Sequence, residues 1–86
     1  MGAADLARIQ HAARYGRVIL TAHAQEEAEN ANVQAHDILV AIRSATTADV
    51  QDYGKFRLEG GTATDGEPLI VIVREIQPGL LVITVF

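Results

Sequence analysis

Cysteine and tryptophan are absent from this 86-residue sequence, which holds one methionine, two prolines, two phenylalanines and two tyrosines. Without cysteine there is neither a disulfide framework nor a thiolate metal site to support a small core, and nothing indicates an oxidising compartment. Cytoplasm is therefore the expected location. No apolar run approaches the roughly 20 residues that cross a bilayer, so no membrane partner is expected. The opening MGAADLARIQ lacks a signal-peptide core and carries Leu6 where a myristoylation motif needs Ser or Thr. Positive charge is scarce as well: seven Lys/Arg stand against eleven Asp/Glu, a net charge of −4. The field of such a molecule repels phosphate, which handicaps any polyanionic partner. A chain this short forms one domain, residues 1–86, and buries only about 60 to 65% of its unfolded surface.

What is present divides into an alanine-rich first half and a β-branched second half, with no linker or repeat between them. Leu6, Ile9 and Ala13 recur at helical spacing from Ala3 to Tyr15, ended by Gly16. RVILTA is a brief extended entry to a second helix, with Thr21 as N-cap, Glu26 and Glu27 near the first turn, and an inner stripe of Ala24, Ala28 and Ala31. A third helix spans about Gln34 to Ser44, its apolar face Ala35, Ile38, Leu39, Ile42 and Ala45. From Thr47 the period falls to two in ADVQDY, KFRLEG, PLIVIVREI and LLVITVF, separated by Tyr53-Gly54, GGTATDGEP and QPG. The expected fold is α+β, N-terminal helices packed on a four-stranded antiparallel sheet. The last two strands are apolar on both sides, so either helices wrap both faces or one face meets a partner or a second copy, making a homodimer.

His23 at the start of the second helix lies near free backbone N–H groups that favour a neutral imidazole, while Glu26 and Glu27 oppose this. The more usual role of a lone histidine is a half-buried ring bonded to a backbone carbonyl. His23, Glu26 and Glu27 share one helical face, but no second histidine completes a zinc pattern, and neither a metal nor a cofactor is expected. There is no phosphate-binding glycine loop and no nucleophile elbow. Lys55 and Arg57 alternate outward on one strand, and Arg74 ends the next. Exposed strand charge ordinarily protects an edge, yet an open concave face would bring Arg57, Arg74 and His23 together as phosphate holder, transition-state stabiliser and general acid/base. The length of the QPG turn leaves open whether Thr84 faces Arg74 or Glu75.

From Val18 to Phe86 the chain resembles a small prokaryotic domain family of unknown function, whose members open on T-x-H-A-x-x-R and finish on D-G-x-P and V-[IV]-T-V-Y. The resemblance rests on Thr21, His23 and Ala24, on Asp37, Ile38, Ala41 and Ile42, on Asp65, Gly66 and Pro68, and on Thr84 and Val85. That family looks like a branch of the RelE-like (BrnT/RelE-type) toxins, which cut RNA without metal and are paired with antitoxins. The resemblance implies a toxin-module homologue and metal-independent RNA cleavage, with His23 as acid or base, Arg57 and Arg74 on the phosphate, and Arg43, Lys55 and Thr84 guiding substrate. The sequence departs from the pattern at Glu27 and Ala31, where arginines are expected, and at Phe86, where a tyrosine is usual. The competing expectation, from another class, is a non-catalytic protein-interaction domain or homodimer that pairs through its sheet or its C-terminal strand.

Overall fold

The computed structural model describes residues 2–86. In chain order the elements are α1 (Gly2–Tyr15), β1 (Arg17–Leu20), α2 (Ala22–Asn30), α3 (Ala35–Ser44), β2 (Thr47–Val50), a short 3-10 turn (Asp52–Gly54), β3 (Lys55–Glu59), β4 (Val71–Ile76) and β5 (Gly79–Val85). The architecture is α+β, with three helices against one five-stranded mixed sheet in the order β1-β5-β4-β3-β2. The expected four-stranded antiparallel sheet is corrected by β1. The segment RVIL, read as an extended entry, pairs in parallel with β5 from Arg17 opposite Gly79 to Leu20 opposite Val82. Four residues are too short for alternation to be distinctive, and a parallel neighbour more than 60 positions away leaves no local trace.

Each helix end follows from its residues. Thr21 sits in extended backbone and its hydroxyl accepts from Ala24 N at 3.1 Å, the N-cap read from the sequence. Ala24 and Ala28 of the alanine stripe are buried, but Ala31 is an exposed C-cap, and Asn32 at φ 57° turns the chain away. On α3 the buried positions are Ile38, Ala41 and Ile42. Ala35, expected on the apolar face, is exposed at the first turn.

The core lies between the helices and one face of the sheet. Ile9 from α1, Ile38 and Ile42 from α3, Leu58 from β3, Val71 and Val73 from β4, and Leu80 and Val82 from β5 are all within 1% of complete burial. Each such side chain contributes about 1.5 to 3 kcal/mol on leaving water. Phe56 and Leu58 point inward from β3 while Lys55, Arg57 and Glu59 point away, as their alternation requires. On β5 the alternation breaks: Ile72 faces Thr84 but Val73 faces Val82, so Ile83 is an extra residue. That bulge returns Val85 to the buried side with Leu80 and Val82, whereas unbroken alternation would group it with Leu81 and Ile83. The β4–β5 turn is two residues long, Gln77 and Pro78, and the bulge places Thr84 opposite Ile72 rather than Arg74 or Glu75.

Two polar clamps hold layers together. Arg8 of α1 reaches Glu75 of β4 through two hydrogen bonds of 2.7 and 2.9 Å and also meets Asp5 at 3.0 Å. Hydrogen bonds to Glu75 and then Asp5 raise its pKa. Asp37 accepts from Gln34 N at 2.9 Å, closing a capping box on α3, and from the Thr64 amide at 3.0 Å and the Thr64 hydroxyl. It thereby pins the 60–70 loop to the helix. Its pKa is lowered, first by the Thr64 hydroxyl and then by the Gln34 and Thr64 amides.

A carboxyl whose folded pKa is depressed stabilises above its unfolded pKa of about 3.9, and this is lost as the pH falls through the folded value. Asp37→Asn is therefore expected to lower the thermal midpoint near pH 7, and the wild-type advantage should shrink below about pH 4. Circular-dichroism melts across that range check this; a constant gap between the two proteins would show that ionised Asp37 is not the clamp.

Candidate functional site

All three helices pack on one side of the sheet, joining a single buried cluster with the inward strand residues. Among the described residues no helix covers the other side. Register places Ile19 of β1, Leu81 and Ile83 of β5, and Ile72 and Ile76 of β4 on that open side, none of them fully buried and Ile19 39% exposed. The alternative in which helices wrap both faces is thereby corrected: α1, α2 and α3 are too few and too short to blanket two layers. The result is a row of aliphatic side chains on β1, β5 and β4, crossing into a polar margin on β3 and β2.

The same register assigns charge to this face. Arg17, Lys55, Arg57 and Arg74 project from it, against Asp49 and Glu59. The face thus carries two more cations than carboxylates, whereas the rest of the chain carries six more carboxylates than cations. Lys55 stands directly opposite Arg74. Like charges in that relation repel, and Arg74 turns to donate to Tyr53 O at 2.8 Å. Arg57 Nε is shielded from solvent and 2.9 Å from Glu59 Oε2, close enough to pair but not aligned for a hydrogen bond. Its guanidinium carbon lies 5.2 Å from the Phe86 ring centroid.

The residues expected to form a catalytic centre divide. Arg57 and Arg74 share the open face, with Lys55 and Thr84 beside them. His23 does not join them: it is on α2, its side chain 66% exposed, with Nε2 3.4 Å from Glu27 Oε2. Among the described residues no hydrogen bond or ion pair links His23 to either arginine. Arg43 is on neither structure; it ends α3, beside α1. Among the described residues no cluster of three or more His, Asp or Glu is placed to hold a metal ion, and no helix is long and apolar enough to cross a membrane.

Sequence reasoning missed the role of Glu27. Its Oε1 accepts from Val85 N at 3.1 Å, while Thr21 N donates to Val82 O at 3.0 Å and the Thr21 hydroxyl to Ile83 O at 3.3 Å. β1 ends opposite Val82, so the last residues of β5 would otherwise present an open edge. The start of α2 closes that edge. LLVITVF is accordingly an inner strand with β1 and β4 on its flanks, which corrects its expected use as a pairing edge. Comparison with known families, curated proteins and solved structures finds nothing that matches this chain.

Proposed function

We propose that this chain is a non-catalytic protein-interaction module whose uncovered sheet face receives an acidic, apolar segment of a partner protein. The observation that carries this reading is the strip of Ile19, Ile72, Leu81 and Ile83 bordered by Arg17, Arg74 and Lys55. An aliphatic strip of this kind gains by leaving water against other apolar side chains. These three cations beside it select against a basic partner, and a second copy of the same face would set like charge on like charge. Nucleic acid is less well matched: a single strand needs a succession of aromatic platforms for its bases, and the strip at the centre of this face is aliphatic. A metal-independent RelE-like ribonuclease would need His23 beside Arg57 and Arg74, and among the described residues the ion-pair contact of His23 is with Glu27 and not with either arginine.

The test uses peptides of alternating leucine and glutamate against leucine and lysine, added to labelled protein while methyl resonances are followed. The acidic peptide should shift Ile19, Ile72, Leu81 and Ile83 and the basic one should not; a double Lys55→Glu, Arg74→Glu variant should reverse the preference. Equal response to both peptides overturns the charge argument. Concentration-dependent dimerisation that protects the same methyls replaces the partner with a second copy. RNA cleavage by wild type that is lost in His23→Ala returns the catalytic reading.

A further inference from the structure

On the helix side, away from the sheet face, a groove of about 580 Å³ runs between α1 and α3, lined by Ala7, Gln10, His11, Arg14, Tyr15 and Arg43. That volume lies within the range of small-molecule sites. No carboxylate lines it. Arg14 and Arg43 are exposed and have no ion pair among the described residues, in a chain whose net charge is −4. Two guanidinium groups left without a counter-ion at one groove repel each other and gain most from a shared anion.

Both arginines end their helices, where free carbonyls would disfavour an anion. Gln10 answers this for α3. Its side-chain amide nitrogen is 3.1 Å from Ile42 O, 3.0 Å from Arg43 O and 3.1 Å from Ala45 O, so it takes up these carbonyls and fixes α3 against α1. The aromatic side of the groove is equally specific. Tyr15 is 71% exposed, its ring 4.6 Å from that of His11 and 5.8 Å from the Arg14 guanidinium carbon. A tyrosine held in this way at the rim of a cationic groove offers a flat face to a second aromatic group.

The geometry points to a binding site for a nucleoside monophosphate, the phosphate bridging Arg14 and Arg43 and the base lying on Tyr15. The planar guanidinium groups match phosphate oxygens two at a time, and His11 supplies a further donor at the same rim. The site is independent of the sheet face, so it stands or falls separately from the proposed partner.

The experiment titrates the protein with adenosine monophosphate, adenosine and inorganic phosphate at low salt, following amide and aromatic resonances. Shifts are expected at His11, Arg14, Tyr15 and Arg43 and not on the open sheet face, with the nucleotide binding about tenfold more tightly than either fragment. Arg14→Glu and Arg43→Glu should each weaken it by about tenfold or more, and Tyr15→Ala should reduce nucleotide binding to the level of phosphate. All three positions are exposed, and unchanged circular dichroism confirms that each variant folds. Nucleotide binding that survives both charge reversals overturns the site. Phosphate binding as tightly as the nucleotide overturns the role of Tyr15, and a short oligoadenylate binding more tightly than the monomer overturns the free nucleotide as ligand.

Discussion

Gly79→Val is expected to leave the protein largely unfolded or close to it. Gly79 has φ +125°, which side-chain-bearing residues rarely adopt, and a Cβ built there would fall 1.8 Å from Arg17 O and 2.5 Å from Arg17 N. Both contacts are with the backbone of β1, so no side-chain rotation relieves them. Gly16 meets the same place from the other side, its own Cβ position being 2.6 Å from Gly79 Cα. Strain at such a backbone angle costs about 1 to 3 kcal/mol, and forced separation of packed backbone adds a comparable amount. A combined loss of about 4 kcal/mol is a large share of the roughly 4 to 13 kcal/mol that holds a chain of this size. Urea unfolding measures it, with Gly66→Val as the reference, since Gly66 also has positive φ but open space around its Cβ position. If the two variants lose the same stability, close approach of β1 to β5 is not what requires Gly79.

That junction also marks where the sequence stops being readable. The helices were legible because each carries its own signal: the Thr21 cap, the spacing of Ile38 and Ile42, and the glycine that ends α1 at Gly16. β3 was legible for the same reason, since KFRLE alternates charge and apolar side chains over a half-buried surface. β1 was not, because its partner is settled by where the chain has gone 60 residues later. The bulge at Ile83 was also hidden: VITV reads as unbroken alternation, and two consecutive outward residues appear only once Val82 and Val85 are both drawn into the core.

The apolar two-sidedness of β4 and β5 left an uncovered surface as one of two readings, and the charge of that surface could be assigned only through register. Of the candidate catalytic set, Arg57 and Arg74 come to one face through the β3–β4 register, which parity alone left open, and His23 could not be positioned without knowing how α2 crosses the end of β5. The clamps Arg8–Glu75 and Asp37–Thr64 join positions 67 and 27 residues apart, and neither end carries a pattern that names the other.

Glu27→Arg, which introduces the arginine of the T-x-H-A-x-x-R pattern, is expected to destabilise the fold by about 2 kcal/mol. An arginine has no acceptor, so Val85 N–H loses the carboxylate oxygen that meets it at 3.1 Å, and a half-buried donor left without a partner costs about 1 to 3 kcal/mol. The substitution also removes the His23 contact at 3.4 Å, which is exposed and adds little. Glu27→Gln keeps a carbonyl oxygen at the same reach and should stay within about 1 kcal/mol of wild type. The site-specific reading is the Val85 amide: its hydrogen exchange should accelerate in Glu27→Arg and remain slow in Glu27→Gln. An unchanged Val85 amide in Glu27→Arg would sink the edge-cap assignment, because loss of general stability would speed every core amide alike. With the cap removed, the terminal part of β5 becomes an open strand edge, and Glu27→Arg is further expected to self-associate at high protein concentration where Glu27→Gln does not. Glu27 thus has a structural task that an arginine cannot perform, and that task is keeping the end of β5 closed.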